Sequence, residues 1–421
     1  MAVDLNAGMR VLYLSPLVPA ISGSGGKRAV YNHLNALSNN SALDVDVVAI
    51  DEEAKGERWP VELVLFSARV FPRGLPRVGT GVVGVAGALR QILLDPAPRA
   101  AAVLKSQPAI ECIKEMLGRV AYDLVIVDLL KAYALIDKLQ INAPIVYLAH
   151  NVEAEIYRDR WRHTPLLSLG KWFSGLEYFK TLRYERRLLN RAVSVIAISS
   201  GDIGVGSFKE IVKKLSCWPE LPTPQLRQWS LPARKTLLFV GSAQYFPNRD
   251  AIEWLANELM PRIAEIDSEI RLKVVGTRKD EVALAVGGSN VEFLGFVSHE
   301  ELVSLHYDAD LFISPVVLGS GIKIKVLEAS AFGMPIAATI ESLRGVDYLD
   351  GAAHVIDRQA ADGTATSIVN LVNAQQSLND MHHATVEGLK RAIERRDSLA
   401  SLLLKAIPAT STHKIKLAVD R

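Results

Sequence analysis

The chain has 421 residues, of which 49% are hydrophobic and 22% charged, as in an ordinary globular protein. At roughly 150 residues per domain, the length predicts two or three domains and excludes a single small module. A formal charge of +2 gives no reason to expect a nucleic-acid partner. Only two cysteines occur, Cys112 and Cys217, which excludes a disulfide framework and a cysteine-based zinc site.

The sequence contains neither an export signal nor a membrane span that we recognise. Residues 1–10 lack the apolar core of a signal peptide. The longest weakly polar run, residues 78–89, is too short to cross a bilayer. Together with the low cysteine content, these features predict a cytoplasmic protein.

Short apolar runs alternate with helical patterns through the first half of the chain. The predicted strands are residues 10–14, 45–50, 124–127, 145–148 and 193–198. A helix is predicted over residues 28–37, whereas residues 51–99 have no clear period and are expected to form loops. Strands that alternate with helices predict a parallel sheet covered on both faces.

A proline-rich segment separates this half from a second alternating series. Residues 218–234 contain four prolines and are interpreted as a linker between domains at residues 1–217 and 235–395. The strands predicted beyond it are residues 237–240, 272–275, 291–294, 311–314 and 336–338, and the helices are residues 250–266, 299–305 and 323–332. Residues 396–421 are expected to form a C-terminal helix and tail that return to the first domain.

Gly25 and Gly26 follow the first strand and open a helix. Free backbone N–H groups at a helix start favour an anion, and glycine allows a phosphate to approach closely. Arg28 stands where a dinucleotide fingerprint needs its third glycine and where a Walker loop needs Ser or Thr. A phosphate-binding loop and a plain strand-to-helix loop therefore both remain open.

His150 and Asn151 come directly after the strand at residues 145–148. A histidine at the carboxyl end of a parallel strand is placed to donate to a ligand or to move a proton. The alternative is a structural role, in which Asn151 is the N-cap of the next helix.

The segment from Gly319 to Ala329 is the most specific of the three. Glycine and serine give way to a helical pattern that begins with Lys323 and Lys325. Lys325 and Glu328 are three residues apart and share a helix face, on which the lysine suits a phosphate and the carboxylate suits ribose hydroxyls. The alternative is an ordinary surface ion pair.

At these places the chain resembles the retaining glycosyltransferases of the GT-B fold from group 1, and in particular those similar to family 4. The resemblance covers most of the chain and is strongest over residues 236–339. It rests on the segments GSGGKRAVYNHL, IVYLAHNVEAEIY, LNRAVSVIAISSGD, KTLLFVGSAQYFPNRDAIEWL, VEFLGFVSHEELVSLHYDADLFISP and GSGIKIKVLEASAFGMPIAAT. The resemblance implies an α/β protein with two Rossmann-like, doubly wound domains that face each other across a cleft.

The resemblance also implies roles for individual residues. Glu328 matches the glutamate that binds the donor ribose, His150 the histidine near the donor sugar, and Gly241 the start of a phosphate-facing loop. The other glutamate of the family's pair falls at Ser320, and the family's usual Arg and Lys after the first C-terminal strand are absent. The predicted donor-binding residues are Gly25, Gly26, Asn151, Gly241, Ser320, Gly321, Ile322, Lys323 and Glu328, with His150 and Lys325 as the predicted catalytic residues.

The function implied is transfer of a sugar from a nucleotide-diphosphate sugar, UDP- or GDP-linked, to a hydroxyl of a glycan or lipid-linked glycan. No metal ion and no cofactor is expected, because helix N-termini and lysines stabilise the leaving diphosphate. One alternative is a catalytically silent protein of this fold that binds a nucleotide sugar or a partner enzyme. Another is an epimerase or phosphorylase, which fold alone does not exclude.

Residues 158–191 form a basic stretch interleaved with aromatic residues. Nine arginines and lysines stand against Asp159, Glu177 and Glu185. The stretch is typical of peripheral contact with an anionic membrane, and such contact would place the protein at the inner face of the membrane. The alternative is a helix that packs its apolar face on the core and exposes its basic face to water.

Overall fold

The computed structural model describes residues 8–20, 25–51, 56, 58–60, 63, 65–74, 95–166, 168–219, 221–222, 224–225, 234–283, 290–319 and 321–406. The chain divides into two compact units. Unit 1 comprises Met1–Trp218 together with Asp397–Arg421, and unit 2 comprises Pro219–Arg396.

Unit 1 is built on a seven-stranded parallel sheet in the order β3-β2-β1-β4-β5-β6-β7. The strands are β1 Met9–Ser15, β2 Leu43–Asp51, β3 Ser67–Pro72, β4 Leu124–Asp128, β5 Ile145–Ala149, β6 Ser194–Ala197 and β7 Leu215–Cys217. Alternate residues of β1 enter different cores: Val11 and Tyr13 pack on one face of the sheet, and Leu12 and Leu14 on the other. This two-sided burial explains why the central strands are continuously apolar.

Helices cover both faces of this sheet. They are α1 Gly25–Ser38, α2 Arg99–Ala102, α3 Gln107–Arg119, α4 Leu129–Ala132, α5 Glu153–His163 and α6 Leu169–Arg191. Helix α1 buries Val30, Leu34 and Leu37 at helical spacing, which gives it one continuous apolar face.

Unit 2 repeats the design with six parallel strands in the order β10-β9-β8-β11-β12-β13. The strands are β8 Thr236–Val240, β9 Arg271–Val275, β10 Val291–Gly295, β11 Leu311–Ser314, β12 Ile336–Ala338 and β13 His354–Val355. The helices are α7 Phe246–Trp254, α8 Met260–Ile266, α9 His299–Asp308, α10 Ile324–Ala331, α11 Ala361–Asn373 and α12 Gln375–Arg395. The α/β fold of two doubly wound parallel sheets is confirmed.

Two predictions about secondary structure were wrong. The single helix expected at residues 250–266 is interrupted by a π-helical turn at Leu255–Leu259. Pro261 lies just beyond and has no N–H to continue the regular ladder. Within the region expected to be loops, β3 adds an edge strand that ends at Pro72 and is half-exposed, so it shows no apolar run.

A last helix, α13 Leu399–Ala406, belongs to unit 1 although it follows unit 2 in the chain. Leu399, Ala400 and Leu403 are buried in the same core as Leu34 of α1. The indole N–H of Trp218 donates to the backbone carbonyl of Asp397 at 3.1 Å, which joins the two points where the chain leaves and re-enters unit 1.

Candidate functional site

Each sheet has one point where the strand order reverses. In unit 1 it lies between β1 and β4, and in unit 2 between β8 and β11. In open α/β sheets, ligands bind beyond the carboxyl ends of the strands at such a point. These two edges are therefore where functional side chains are expected.

At the edge in unit 1, three buried side chains converge on one carboxylate. Asp128 ends β4, and its Oδ1 lies 2.6 Å from Nε2 of His150, the residue after β5. Its Oδ2 lies 3.3 Å from Nδ1 of His33 on α1 and accepts a hydrogen bond from the Tyr13 hydroxyl. The ring of His33 also packs edge-on against those of His150 and Trp218, with centroids 5.1 and 5.4 Å apart.

Electrostatics keep this carboxylate ionised. Burial alone would raise the pKa of Asp128, but His150 and His33 hold it well below its usual range. An anion at this position favours a proton on the imidazole nitrogens that face it, and so fixes the orientation of His150. The next residue, Leu129, has φ 63°, a left-handed conformation that is uncommon for a leucine.

The three ligand-type atoms of His33, Asp128 and His150 lie within 4.8 Å of one another. Two ligands on a zinc ion with bonds of about 2.0–2.1 Å would be roughly 3.3 Å apart. The 2.6 Å between His150 Nε2 and Asp128 Oδ1 is shorter than that and suits a shared proton. The cluster is therefore hydrogen-bonded as it stands, and we assign no metal to it.

A second buried carboxyl group supports the segment that follows His150. Oε1 of Glu185 accepts from the backbone N–H of Glu153 at 2.8 Å, and Oε2 accepts from the Ser207 hydroxyl at 2.5 Å. Burial raises the pKa of Glu185 to about 8. Helix α5 begins at Glu153 after Val152, so the interpretation of Asn151 as the N-cap was wrong.

The glycines predicted to bind phosphate in unit 1 lie in the first turn of α1. A Cβ atom on Gly26 would lie 3.1 Å from the side chain of Leu17, so the helix start approaches the end of β1 closely. Residues 21–24 of the predicted loop lie outside the described residues.

At the edge in unit 2, the loop after β8 is fixed by Thr277. The hydroxyl of Thr277 donates to the carbonyl of Gly241 at 2.8 Å and accepts from the N–H of Ala243 at 2.9 Å. A Cβ atom on Gly241 would come within 2.9 Å of the side chains of Asn248 and Phe239. A larger residue would therefore displace one of these side chains at the position that the sequence predicted to face phosphate.

The second loop of this edge connects β11 to α10. Gly319 and Gly321 have φ of 82° and 78°, which favour glycine. The ammonium of Lys323 donates to their carbonyls at 2.8 and 3.1 Å, so Lys323 holds the loop. A Cβ atom on Gly319 would lie 2.9 Å from the Tyr245 hydroxyl, which brings this loop against the loop after β8. Ser320 lies outside the described residues.

Lys325 and Glu328 meet in the first turns of α10. Lys325 Nζ lies 2.6 Å from Glu328 Oε2, and the side chains are 36% and 10% exposed. Glu328 is thus buried, whereas Lys325 reaches the surface. Ile322 is also buried and precedes the helix start.

Several residues at these edges were not singled out from the sequence: Tyr13, His33, Asp128, Glu185 and Thr277. A signal existed for Asp128, because it ends an apolar run one strand away from His150. Tyr13 and His33 lie within an apolar strand and an amphipathic helix, where nothing marks them as unusual.

Residues 234–374 match the model of the glycosyl transferases group 1 family. The chain is 27% identical over 193 residues to a phosphatidyl-myo-inositol mannosyltransferase of Mycobacterium leprae, covering 44% of this chain and 50% of that one. It is 24% identical over 169 residues to an uncharacterised 44.6 kDa protein in the cps region of Klebsiella pneumoniae, covering 38% and 42%. The matches thus span half or less of these relatives.

Solved structures extend the likeness to nearly the whole chain. Sucrose-phosphate synthase from Thermosynechococcus elongatus superposes with a TM-score of 0.65 at 16% identity, covering 94% of this chain and 97% of that one. Anabaena HepE in complex with UDP and glucose gives 0.60 at 14% identity, covering 94% and 98%. The chain therefore has the GT-B fold, and its residues 234–374 match the group 1 glycosyl transferase family model.

Proposed function

We propose that the protein is a glycosyltransferase that moves a sugar from a nucleotide-diphosphate sugar to a hydroxyl of its acceptor. The observation that carries this proposal is the Lys325–Glu328 pair behind the glycine loop, at the carboxyl edge of unit 2 and inside the family match. A cation beside a buried carboxylate suits a phosphate next to a pair of ribose hydroxyls.

In this proposal the loops of unit 2 bind the donor. Backbone N–H groups around Gly321 and the start of α10 receive the diphosphate, Lys325 meets its charge, and Glu328 accepts from the ribose. Lys323 shapes the loop, because its ammonium bonds the carbonyls of Gly319 and Gly321. HepE is described in complex with UDP and glucose, which favours a UDP-sugar donor over a GDP-sugar.

The proposed reaction retains the anomeric configuration. The diphosphate leaves the anomeric carbon while the acceptor hydroxyl enters on the same face, and the leaving phosphate takes the hydroxyl proton. Helix N-termini and Lys325 stabilise the developing charge, so the proposal needs no resident metal. In unit 1, Asp128 orients His150, to which the proposal assigns a hydrogen bond to a sugar hydroxyl.

Unit 1 is proposed to bind the acceptor. One relative is by name a phosphatidyl-myo-inositol mannosyltransferase and another lies in a cps region, which favours a lipid-linked or polysaccharide acceptor. With only two cysteines, the chain suits a reducing compartment, and we propose a cytoplasmic location.

A thermal-shift screen of UDP, GDP, dTDP, ADP and their sugar conjugates tests the donor site. A ligand that binds only the folded state raises the melting temperature by mass action. We expect a shift with a uridine nucleotide that Glu328→Ala and Lys325→Met both reduce. The matched control is Glu387→Ala, since Glu387 and Lys390 form an exposed pair of the same spacing on α12.

Absence of a shift with every nucleotide, or equal loss in the Glu387→Ala control, would contradict the proposed donor site. Turnover of the selected donor with an acceptor is then followed by NMR of the product's anomeric carbon. An inverted product would overturn the retaining mechanism and leave the donor site intact.

Binding without turnover would favour the silent-protein alternative. The observation behind it is Ser320, which stands where the resemblance places a glutamate that contacts the donor sugar. Ser320→Glu distinguishes the two, because a gain of turnover in that variant would show that the missing carboxylate limits the reaction.

A further inference from the structure

The outer face of α6 carries a row of exposed aromatic and arginine side chains. Trp172, Phe179, Arg183, Arg186 and Asn190 recur at a spacing that places them along one side of a helix with 3.6 residues per turn. All five are exposed. Trp172 and Phe179 are 77% and 57% exposed, so most of the surface of each residue faces solvent.

The opposite face of α6 buries several polar groups beside the core residues Tyr184, Leu188 and Leu189. The side chains turned toward the interior include Ser174, Glu177, Thr181 and Glu185. The first half of the helix therefore departs from an ordinary amphipathic helix, with the side chains of Trp172 and Phe179 outside and the carboxyl group of Glu177 inside. The alternative that this stretch packs its apolar face on the core holds for Tyr184, Leu188 and Leu189 but not for Trp172 and Phe179.

Burial of the carboxyl groups leaves the exterior strongly basic. Glu177 accepts from the backbone N–H of Arg99 at 2.9 Å, and Glu185 caps the start of α5. Of the three acidic residues in the stretch, only Asp159 is turned outward enough to be half-exposed. The exposed basic residues are Arg160, Arg162, Arg183, Arg186 and Arg187, of which Arg186 pairs with the exposed Glu210 at 2.8 Å.

The ring of Phe179 packs against two other aromatic rings of the hairpin. The ring of Trp161 on α5 stacks on Tyr178 at 5.8 Å, and the ring of Phe179 lies 5.8 Å from Trp161 and 5.0 Å from Tyr178. Gly175 makes room for this arrangement, since a Cβ atom there would lie 3.0 Å from Trp161 Nε1. Leu166, in the connection between α5 and α6, extends the apolar end and is 79% exposed.

We propose that this hairpin, α5 with α6, is a docking surface for an anionic lipid bilayer. Leu166, Trp172 and Phe179 enter the interfacial layer, and Arg183, Arg186 and Arg187 contact lipid phosphates. A groove of about 370 Å³, lined by Phe179, Leu182, the three arginines and Asn190, offers room for a headgroup. Charge complementarity selects the occupant, because an apolar patch bordered by arginines fits an anionic membrane better than a neutral one.

The proposal is tested by flotation of the full chain with vesicles, without donor or acceptor, so that it does not depend on the transferase activity. We expect binding to vesicles that contain phosphatidylglycerol, little binding to pure phosphatidylcholine, and loss of binding at high salt. Each arginine near an anionic surface contributes about fivefold, so the triple variant Arg183→Ala, Arg186→Ala, Arg187→Ala should weaken partitioning on the order of 100-fold.

Matched variants separate the docking surface from general charge and hydrophobicity. The triple variant Lys279→Ala, Arg391→Ala, Arg395→Ala removes the same charge from exposed positions of unit 2. The pair Trp172→Ala, Phe179→Ala is compared with Phe296→Ala, Ile340→Ala, which are 73% and 71% exposed. Only the α6 variants should lose vesicle binding, while all variants keep the thermal unfolding transition of the parent chain.

Three results would overturn the proposal: equal binding to neutral vesicles, equal loss in the unit 2 controls, or no binding at low salt. A concentration-dependent dimer in analytical ultracentrifugation that Trp172→Ala, Phe179→Ala abolishes would instead assign the face to a second copy of the chain.

Discussion

The carboxyl edges of the two sheets use the same doubly wound design for different chemistry. In unit 1 the edge consists of titratable side chains, with Asp128 bonded to Tyr13, His33 and His150. In unit 2 it consists of glycine backbone and lysines, with the loops held by Thr277 and Lys323. One edge thus presents a buried network, and the other presents backbone N–H groups beside a cation.

This difference has an energetic consequence. Groups in a buried polar network stabilise the fold and serve the site together, so a change there affects both. A glycine loop beside a partly exposed ion pair contributes little to stability, so changes there affect ligand binding more selectively. Four experiments on the free energy of unfolding test this difference between the two edges.

The largest expected effect is the pH dependence caused by Glu185 in unit 1. Its pKa rises from an ordinary value of 4.5 to about 8 on folding, so the folded state keeps a proton that the unfolded chain releases. Stability should therefore fall as pH rises from about 4.5 to 8, by about 4 to 5 kcal/mol. Urea unfolding at several pH values measures this loss, which Glu185→Gln should largely remove.

The exposed Glu210→Gln is the control for that experiment, since it should leave the pH dependence unchanged. If wild type and Glu185→Gln showed the same slope between those pH values, the buried carboxyl group would not be the cause.

Asp128→Asn should destabilise the protein by about 3 kcal/mol, because it removes the charge that the two buried histidines face. The exposed Asp350→Asn serves as the control and should change the free energy of unfolding by less than about 0.5 kcal/mol. Equal effects of the two substitutions would show that the network in unit 1 is not a source of stability.

Gly319→Ala should cost about 1 to 2 kcal/mol, because φ is 82° and the added Cβ meets the Tyr245 hydroxyl. Gly363 provides a matched control on α11, where an added Cβ meets nothing within 4 Å. Gly363→Ala should stabilise the protein by about 0.5 to 1 kcal/mol. If thermal unfolding shows a loss of stability for Gly319→Ala and a gain for Gly363→Ala, the backbone at Gly319 requires glycine.

The smallest expected effect is that of Lys325→Met on stability. The Lys325 side chain is 36% exposed, so loss of its pair with Glu328 should change the free energy of unfolding by no more than about 1 kcal/mol. Nucleotide affinity should nevertheless fall in this variant. A stability loss as large as that of Asp128→Asn would remove the distinction between the two edges.

The alternation of apolar strands and helical patterns was sufficient to predict the two sheets, because buried parallel strands read as continuous apolar runs. The edge strand β3 was not predicted, because it is half-exposed and ends in proline. The π-helical turn before Pro261 was not predicted either, because the apolar spacing continues through it.

Candidate site residues could likewise be predicted only where a local sequence pattern marks them. Glycines and lysines at a helix start have a local pattern, so Gly319, Gly321 and Lys325 were found from their order in the sequence. Asp128, His33 and Glu185 lie on separate elements, and the contacts that each makes depend on strand order and helix packing. Trp172 and Phe179 were noticed as a basic aromatic stretch, but their exposure depends on which face α6 buries.

The joining of Trp218 to Asp397 has a consequence for synthesis of the chain. Unit 1 receives its last helix, Leu399–Ala406, only after all of unit 2 has been made. Domains generally fold in the order in which they leave the ribosome, but here the first unit waits for the final residues. Until then, the apolar surface that includes Leu34 lacks its cover, so unit 2 can complete its fold before unit 1 does.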